Sequence, residues 1–192
     1  VGHQDKSVRP EQRGFDRFYG TYLHVDSYFK VLPQCDVWLD GKLQIQGDGK
    51  TLPKNPDGSD SEFYTTDVYT DFALQFLEEA YGDESPFFLY LAYNAPHWPL
   101  EAPDAIVDKY EGRYNAGWDV LREKKFATMR EMGIIPEDAQ LPSSGNTPWN
   151  EVSEEDRKEL AFRRAIYAAQ IDSMDQNIGR IVRSLRKNGQ LE

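Results

Sequence analysis

The chain has 192 residues, with 22 Lys and Arg against 33 Asp and Glu, and a formal net charge of −11. So acidic a balance argues against nucleic-acid or anionic-membrane surfaces, which need clustered cations, but leaves room for one small anion in a locally positive pocket. The longest apolar run, Phe87 to Tyr93, falls far short of the ~20 residues that span a bilayer, and the single cysteine, Cys35, excludes an internal disulfide.

In chain order, the opening residues show no basic-then-apolar leader pattern. The stretch Arg13-Gly14-Phe15-Asp16-Arg17-Phe18-Tyr19-Gly20 is dense in aromatics and glycine, which suits an ordered loop packed on a body. Cys35 to Leu39 and Lys42 to Gln46 flank Asp40-Gly41, the pattern of a type I′ hairpin. Cys35 itself reads as a small core hydrophobe. Asp48 to Glu62 is a loop; its Asp57–Glu62 acidic stretch does not have the spacing of an EF-hand and reads as a solvated turn.

Thr65 to Tyr81 is an amphipathic helix with Val68, Phe72, Phe76, Leu77 and Ala80 on one stripe and Gly82 as its stop. The run Phe87 to Tyr93 follows and predicts a strand buried on both faces, as in a parallel α/β sheet. Pro103 to Tyr110 and Gly117 to Met132 read as helices. Ile134 to Asn150 has three prolines and no period, so it reads as a loop. Ser153-Glu154-Glu155-Asp156 is a capping-box-like start. From there Leu160, Tyr167, Ile171, Met174, Ile178, Ile181 and Leu185 recur at helical spacing. That last helix exceeds 30 residues, or ~50 Å at ~1.5 Å per residue. Either it breaks, with Gly179 the candidate, or it packs on further protein. With one buried strand and few neighbours for it, the chain reads as an interior piece of a larger α/β enzyme, prone by itself to self-association through an unpaired edge.

There is no Walker loop, no Gly-x-Gly-x-x-Gly, no Cys-x-x-Cys and no His-Glu-x-x-His. Of the three histidines, His3 and His24 read as structural. His97 differs. It lies just past the carboxyl end of the buried run, where ligands bind in open α/β sheets, and Pro96 and Pro99 stiffen its backbone. A histidine there can donate a hydrogen bond to an anionic oxygen or protonate a leaving group. Trp98 would wall the pocket. A satisfied structural histidine fits the residues equally well.

The motif Asn94-Ala95-Pro96-His97-Trp98-Pro99-Leu100-Glu101-Ala102-Pro103 resembles a hallmark of the type I sulfatases, arylsulfatase-like enzymes of the alkaline-phosphatase superfamily. Further stretches are similar to family elements, in the family's order. They are Arg13 to Gly20, Ser27-Tyr28-Phe29, Phe63-Tyr64 with Thr66-Asp67, Tyr110 to Arg122, and Tyr167 to Arg180. Together they cover most of the chain.

The resemblance implies an α/β, partial alkaline-phosphatase/sulfatase-like fold with a buried strand, a β-hairpin and several helices, residues 1–192 being an interior segment of one catalytic domain. It implies a sulfuric ester hydrolase acting on aryl or carbohydrate sulfate esters, with a formylglycine nucleophile and calcium in the parent enzyme. It also implies export to the periplasm or outside the cell. Cys35, in Gln34-Cys35-Asp36-Val37-Trp38, does not match the family's Cys/Ser-x-Pro-x-Arg. No metal ligand maps onto this chain, and the family's Gly-Lys-x-His is expected just before Val1. Of the family's active-site residues only His97 maps here, contacting the sulfate or its bridging oxygen, with Trp98 beside it as a substrate contact. The chain alone is expected to be inactive. The alternatives are a phosphodiesterase or phosphonate hydrolase of the same superfamily, and a non-catalytic sulfatase-like domain binding glycans through its tryptophans.

Overall fold

The computed structural model describes residues 6–23, 25–49, 63–83 and 85–191. His3, His24 and the acidic stretch Asp57–Glu62 lie outside them. The elements are three short strands, β1 (Tyr19–Thr21), β2 (Val37–Leu39) and β3 (Lys42–Ile45), and four α-helices, α1 (Thr65–Ala80), α2 (Asp104–Val107), α3 (Gly117–Glu131) and α4 (Glu154–Lys187). Two compact units result, one of Val1–Pro103 with Gln170–Glu192 and one of Asp104–Ala169.

In the first unit the strands form an antiparallel sheet in the order β1-β2-β3. The β2–β3 turn is the expected type I′ hairpin: Asp40 has φ 48 and Gly41 φ 74, the two positive angles that turn requires. Asp40 then recruits the preceding loop. Its carboxylate accepts from the Phe18 amide at 2.9 Å and from Arg17 Nε at 3.0 Å. That loop becomes β1, with Gly20 opposite Trp38, a strand that the glycine- and aromatic-rich sequence does not announce.

The helix α1 buries Val68 and Phe72 against Val31, Val37 and Phe63 on the sheet side, and Tyr19 stacks on Phe72 with centroids 3.5 Å apart. Its other side places Ala73 and Leu77 against Ile181 of α4. The C-terminal half of α4 is tied to α1 by polar contacts as well. Arg180 bonds both Asn177 Oδ1, at 2.8 Å, and the Asp71 carboxylate, and Tyr81 and Ser184 hydroxyls meet at 3.1 Å.

Two expectations are corrected. Phe87–Tyr93 is not buried on both faces: it runs extended, with no strand partner among the described residues. A segment is buried on both faces only where other elements pack over both. Here only alternate residues face the core, Leu89 and Leu91 packing on the Ala73–Leu77–Ile181 cluster, while Phe88 and Tyr90 are 77% and 71% exposed. The second is the break at Gly179, one of the two alternatives for so long a helix: α4 is unbroken there. Its buried positions are Ala161, Ala165, Ala169, Ser173, Asn177 and Ile181, spaced by four, together with Gln170, whereas Ile171 and Ile178 are exposed.

The second unit begins α4 as the sequence indicates. The Ser153 hydroxyl accepts from the Asp156 amide at 3.1 Å and donates to the Asp156 carboxylate at 2.7 Å, a reciprocal cap. Trp118 and Trp149 pack edge-to-face at 4.6 Å.

Candidate active site

The extended run ends in a tight turn carrying His97. The His97 amide donates to Asn94 O at 2.9 Å, closing it, and the Ala95–Pro96 and Trp98–Pro99 peptide bonds are cis. Ala95 is buried against Tyr28 and Tyr64, whereas the His97 side chain is exposed. Its Nδ1 lies 2.6 Å from the Trp98 carbonyl oxygen. A carbonyl can only accept, so Nδ1 carries the proton and donates it. This leaves Nε2 for a ligand, as an acceptor when the ring is neutral and a donor when it is an imidazolium.

The backbone of the turn is clamped from below. The Tyr28 hydroxyl donates to His97 O at 2.9 Å, and Gln170 Nε2 donates to Pro99 O at 3.2 Å and to His97 O at 3.5 Å. Downstream, the Tyr64 hydroxyl donates to Glu101 O at 3.2 Å. One oxygen of the Glu101 carboxylate accepts both the Ser27 hydroxyl, at 2.9 Å, and the Tyr28 amide, at 2.6 Å. Tyr28, Tyr64 and Gln170 are each at most 1% exposed. Burial pushes the Tyr64 phenol up to about 12 and the Tyr28 phenol further upward. Both therefore remain neutral donors across the physiological range.

The sequence-derived pair His97 and Trp98 are thus neighbours on one clamped turn. Trp98 is 61% exposed and stands in solvent rather than walling an enclosed pocket among the described residues. A cavity of about 1070 Å³ runs along Pro86–Ala92 beside Phe15, Phe18 and Phe76 and reaches Asn94, but touches neither His97 nor Trp98. Its aromatic lining suits packed side chains better than a sulfate-sized anion. Trp38 lies under the Arg9 guanidinium, 4.6 Å from it.

Cys35 is buried. Burial pushes its thiol up, and its Sγ lies 3.8 Å from Asp26 Oδ2, the surroundings of an unreactive core thiol. Among the described residues no three His, Cys, Asp or Glu side chains come together as a metal-binding set.

Sequence reasoning missed Gln170 and the part played by Glu101. Gln170 fell between the residues of the Tyr167–Arg180 motif. The available signal was a long uncharged amide placed directly after the Ala161-Ala165-Ala169 small-residue spacing, a position where an exposed face would show a charge.

The family model described as Sulfatase matches residues 2–192. The chain is similar to the Uncharacterized sulfatase PB10D8.02c of Schizosaccharomyces pombe, 35% identical over 133 residues, which are 68% of this chain and 24% of that protein. It is similar to the Arylsulfatase of Klebsiella aerogenes, 32% identical over 183 residues, 94% of this chain and 38% of the relative. In structure it is similar to Ps i-CgsB in complex with k-i-k-neocarrahexaose, with a TM-score of 0.55, 23% identity, and coverage of 96% of this chain and 32% of the other. The chain thus spans between about a quarter and two fifths of these relatives' length.

Proposed function

The chain belongs to the sulfatase family, with an α/β, alkaline-phosphatase-like partial fold, and from this premise we propose that it forms part of a single catalytic domain that hydrolyses aryl or carbohydrate sulfate esters. The aryl class comes from the Klebsiella relative and the carbohydrate class from the oligosaccharide complex of the structural neighbour. Sulfatases are sulfuric ester hydrolases. The formylglycine nucleophile and calcium that the resemblance brings with it do not fit the described residues, because Cys35 is a buried core thiol and no metal-binding set occurs. They are assigned to other segments of the protein, and no step is routed through them.

What this chain supplies is His97. The observation that carries the reading is its exposed ring with Nδ1 anchored on the Trp98 carbonyl at 2.6 Å, in a turn whose backbone is clamped. As the S–O bond of the ester breaks, its electron pair passes to the leaving oxygen. The imidazolium Nε2–H gives its proton to that oxygen and becomes neutral imidazole. Overall, water is consumed, and the alcohol or phenol and hydrogensulfate are released. Trp98 offers an exposed ring for the apolar part of the substrate.

The test is turnover of phenyl sulfate, whose leaving phenolate oxygen needs the proton, by the full-length protein. His97→Ala is expected to lower kcat/KM by more than tenfold with the fold unchanged by circular dichroism. Unaltered turnover would remove His97 from the site. Hydrolysis of a phosphate diester in place of the sulfate would assign the protein to the phosphodiesterase branch of the superfamily. For the 192-residue chain alone we infer no turnover of a fluorogenic sulfate ester, and self-association through the unpaired edge at Phe87–Tyr93.

A further inference from the structure

We propose that Gln170 is a positioning residue for His97: its side-chain amide, together with the Tyr28 hydroxyl, fixes the turn so that the imidazole is held by the Trp98 carbonyl and presents Nε2–H to the leaving oxygen. The proposal rests on the role given to His97 above and adds the device that makes it effective.

The geometry is that of a bracket. Gln170 Nε2 donates to Pro99 O at 3.2 Å and to His97 O at 3.5 Å, the carbonyls on either side of Trp98 O. The Tyr28 hydroxyl donates to His97 O at 2.9 Å. With the flanking carbonyls held, the intervening one stays against Nδ1, at 2.6 Å. Ordinary packing does not explain an amide here. Gln170 is 0% exposed, and its Oε1 is buried with no hydrogen-bond partner among the described residues. An orphaned buried carbonyl is destabilising, and Leu or Met would fill the same volume of α4 without it. The amide is useful for its donor, and the donor's acceptors are the turn that carries His97. Tyr28 acts the same way from another part of the fold, its phenol kept neutral and donating by burial.

Kinetics on the full-length protein with two substrates, 4-nitrophenyl sulfate and phenyl sulfate, test this. Phenol is the weaker acid and depends more on a proton from the enzyme. Gln170→Met is expected to lower kcat on phenyl sulfate by roughly tenfold or more, with a markedly smaller loss on 4-nitrophenyl sulfate and KM changed by less than about threefold. Tyr28→Phe, which keeps the buried ring, is expected to show the same ordering and serves if Gln170→Met does not fold. A merely structural role would lower the active fraction and cost both substrates equally. Equal losses, or none, in both variants would overturn the proposal. His97→Ala is run alongside. If it too loses both substrates equally, the proton-donor reading of His97 fails. If it loses phenyl sulfate selectively while Gln170→Met and Tyr28→Phe do not, only the positioning role fails.

Discussion

Asn177 and Asp67 stand 110 residues apart in the chain and 2.6 Å apart in the fold, the Asn177 side-chain amide donating to the Asp67 carboxylate. The same amide nitrogen donates to Ser173 O at 3.0 Å, and Asn177 Oδ1 accepts from Arg180 at 2.8 Å. One buried side chain therefore joins the first turn of α1 to α4. It does so beside Tyr64, the residue that precedes α1 and holds the backbone of Glu101.

Asn177→Leu keeps the approximate volume and removes every one of those bonds. It leaves the Asp67 carboxylate without the Asn177 amide at a site 3% exposed at its former partner. The expected loss is about 2 kcal/mol, the scale of a hydrogen bond to a charged group. Asp67→Asn in the same background should recover part of it by removing the charge. Urea unfolding midpoints of the two variants measure both; an unshifted midpoint for Asn177→Leu would show that the tie carries no stability.

A glycine comparison separates space from backbone conformation. Gly117 has φ +80, and a Cβ there would lie 2.1 Å from Trp149 Cγ; Gly133 has φ +69 with nothing within 4 Å. Gly133→Ala should cost only about 1 kcal/mol of left-handed backbone strain. Gly117→Ala should cost roughly 2 kcal/mol more through overpacking. It should also disturb the Trp118–Trp149 pair, which stand 4.6 Å apart, so tryptophan near-ultraviolet circular dichroism changes in Gly117→Ala and not in Gly133→Ala.

The tyrosines set the alkaline limit. Burial is the first cause raising Tyr19, Tyr28, Tyr64, Tyr69 and Tyr93, with Tyr64 at about 12 against an ordinary 10.0. A raised folded pKa favours the neutral phenol. The stability these groups contribute is full below pH ~10 and falls as pH climbs through the folded values. By tyrosinate absorbance these buried phenols should form a late group that ionises only above pH ~10, together with loss of structure. Tyr64→Phe should shrink the late group by one. A single titration step with all tyrosines together near pH 10 at intact ellipticity would contradict the burial of these phenols.

Wherever a feature depends on residues close in sequence, it was legible without the structure. Asp40-Gly41 between β-compatible runs specifies a type I′ turn because few other residues take two positive φ values in succession. Ser153 three residues before Asp156 specifies an N-terminal cap because at that spacing its hydroxyl reaches the free Asp156 amide and the Asp156 carboxylate reaches that hydroxyl. The stripe of α1 and the proline-bracketed His97 are readable for the same reason.

The rest depends on partners far away in sequence. Tyr19–Thr21 is a strand only because β2 lies beside it, and Phe87–Tyr93 misses its second buried face because apolar composition states what a segment can bury, not whether a neighbour is present. The face of α4 that is buried carries alanines, Ser173 and Asn177 as well as Ile181, so a count of bulky apolar residues does not find it. Gln170 and Glu101 acquire meaning only when sequence separations of 73 and 74 are folded away, bringing a buried amide under His97 and a carboxylate onto Ser27. The sequence by itself determined which residue can exchange a proton and the family to which the turn belongs, because both reside in contiguous side-chain identity. The tertiary structure alone decided what holds that residue in place, because a hydrogen bond about 3 Å long links groups that the chain's covalent order keeps apart.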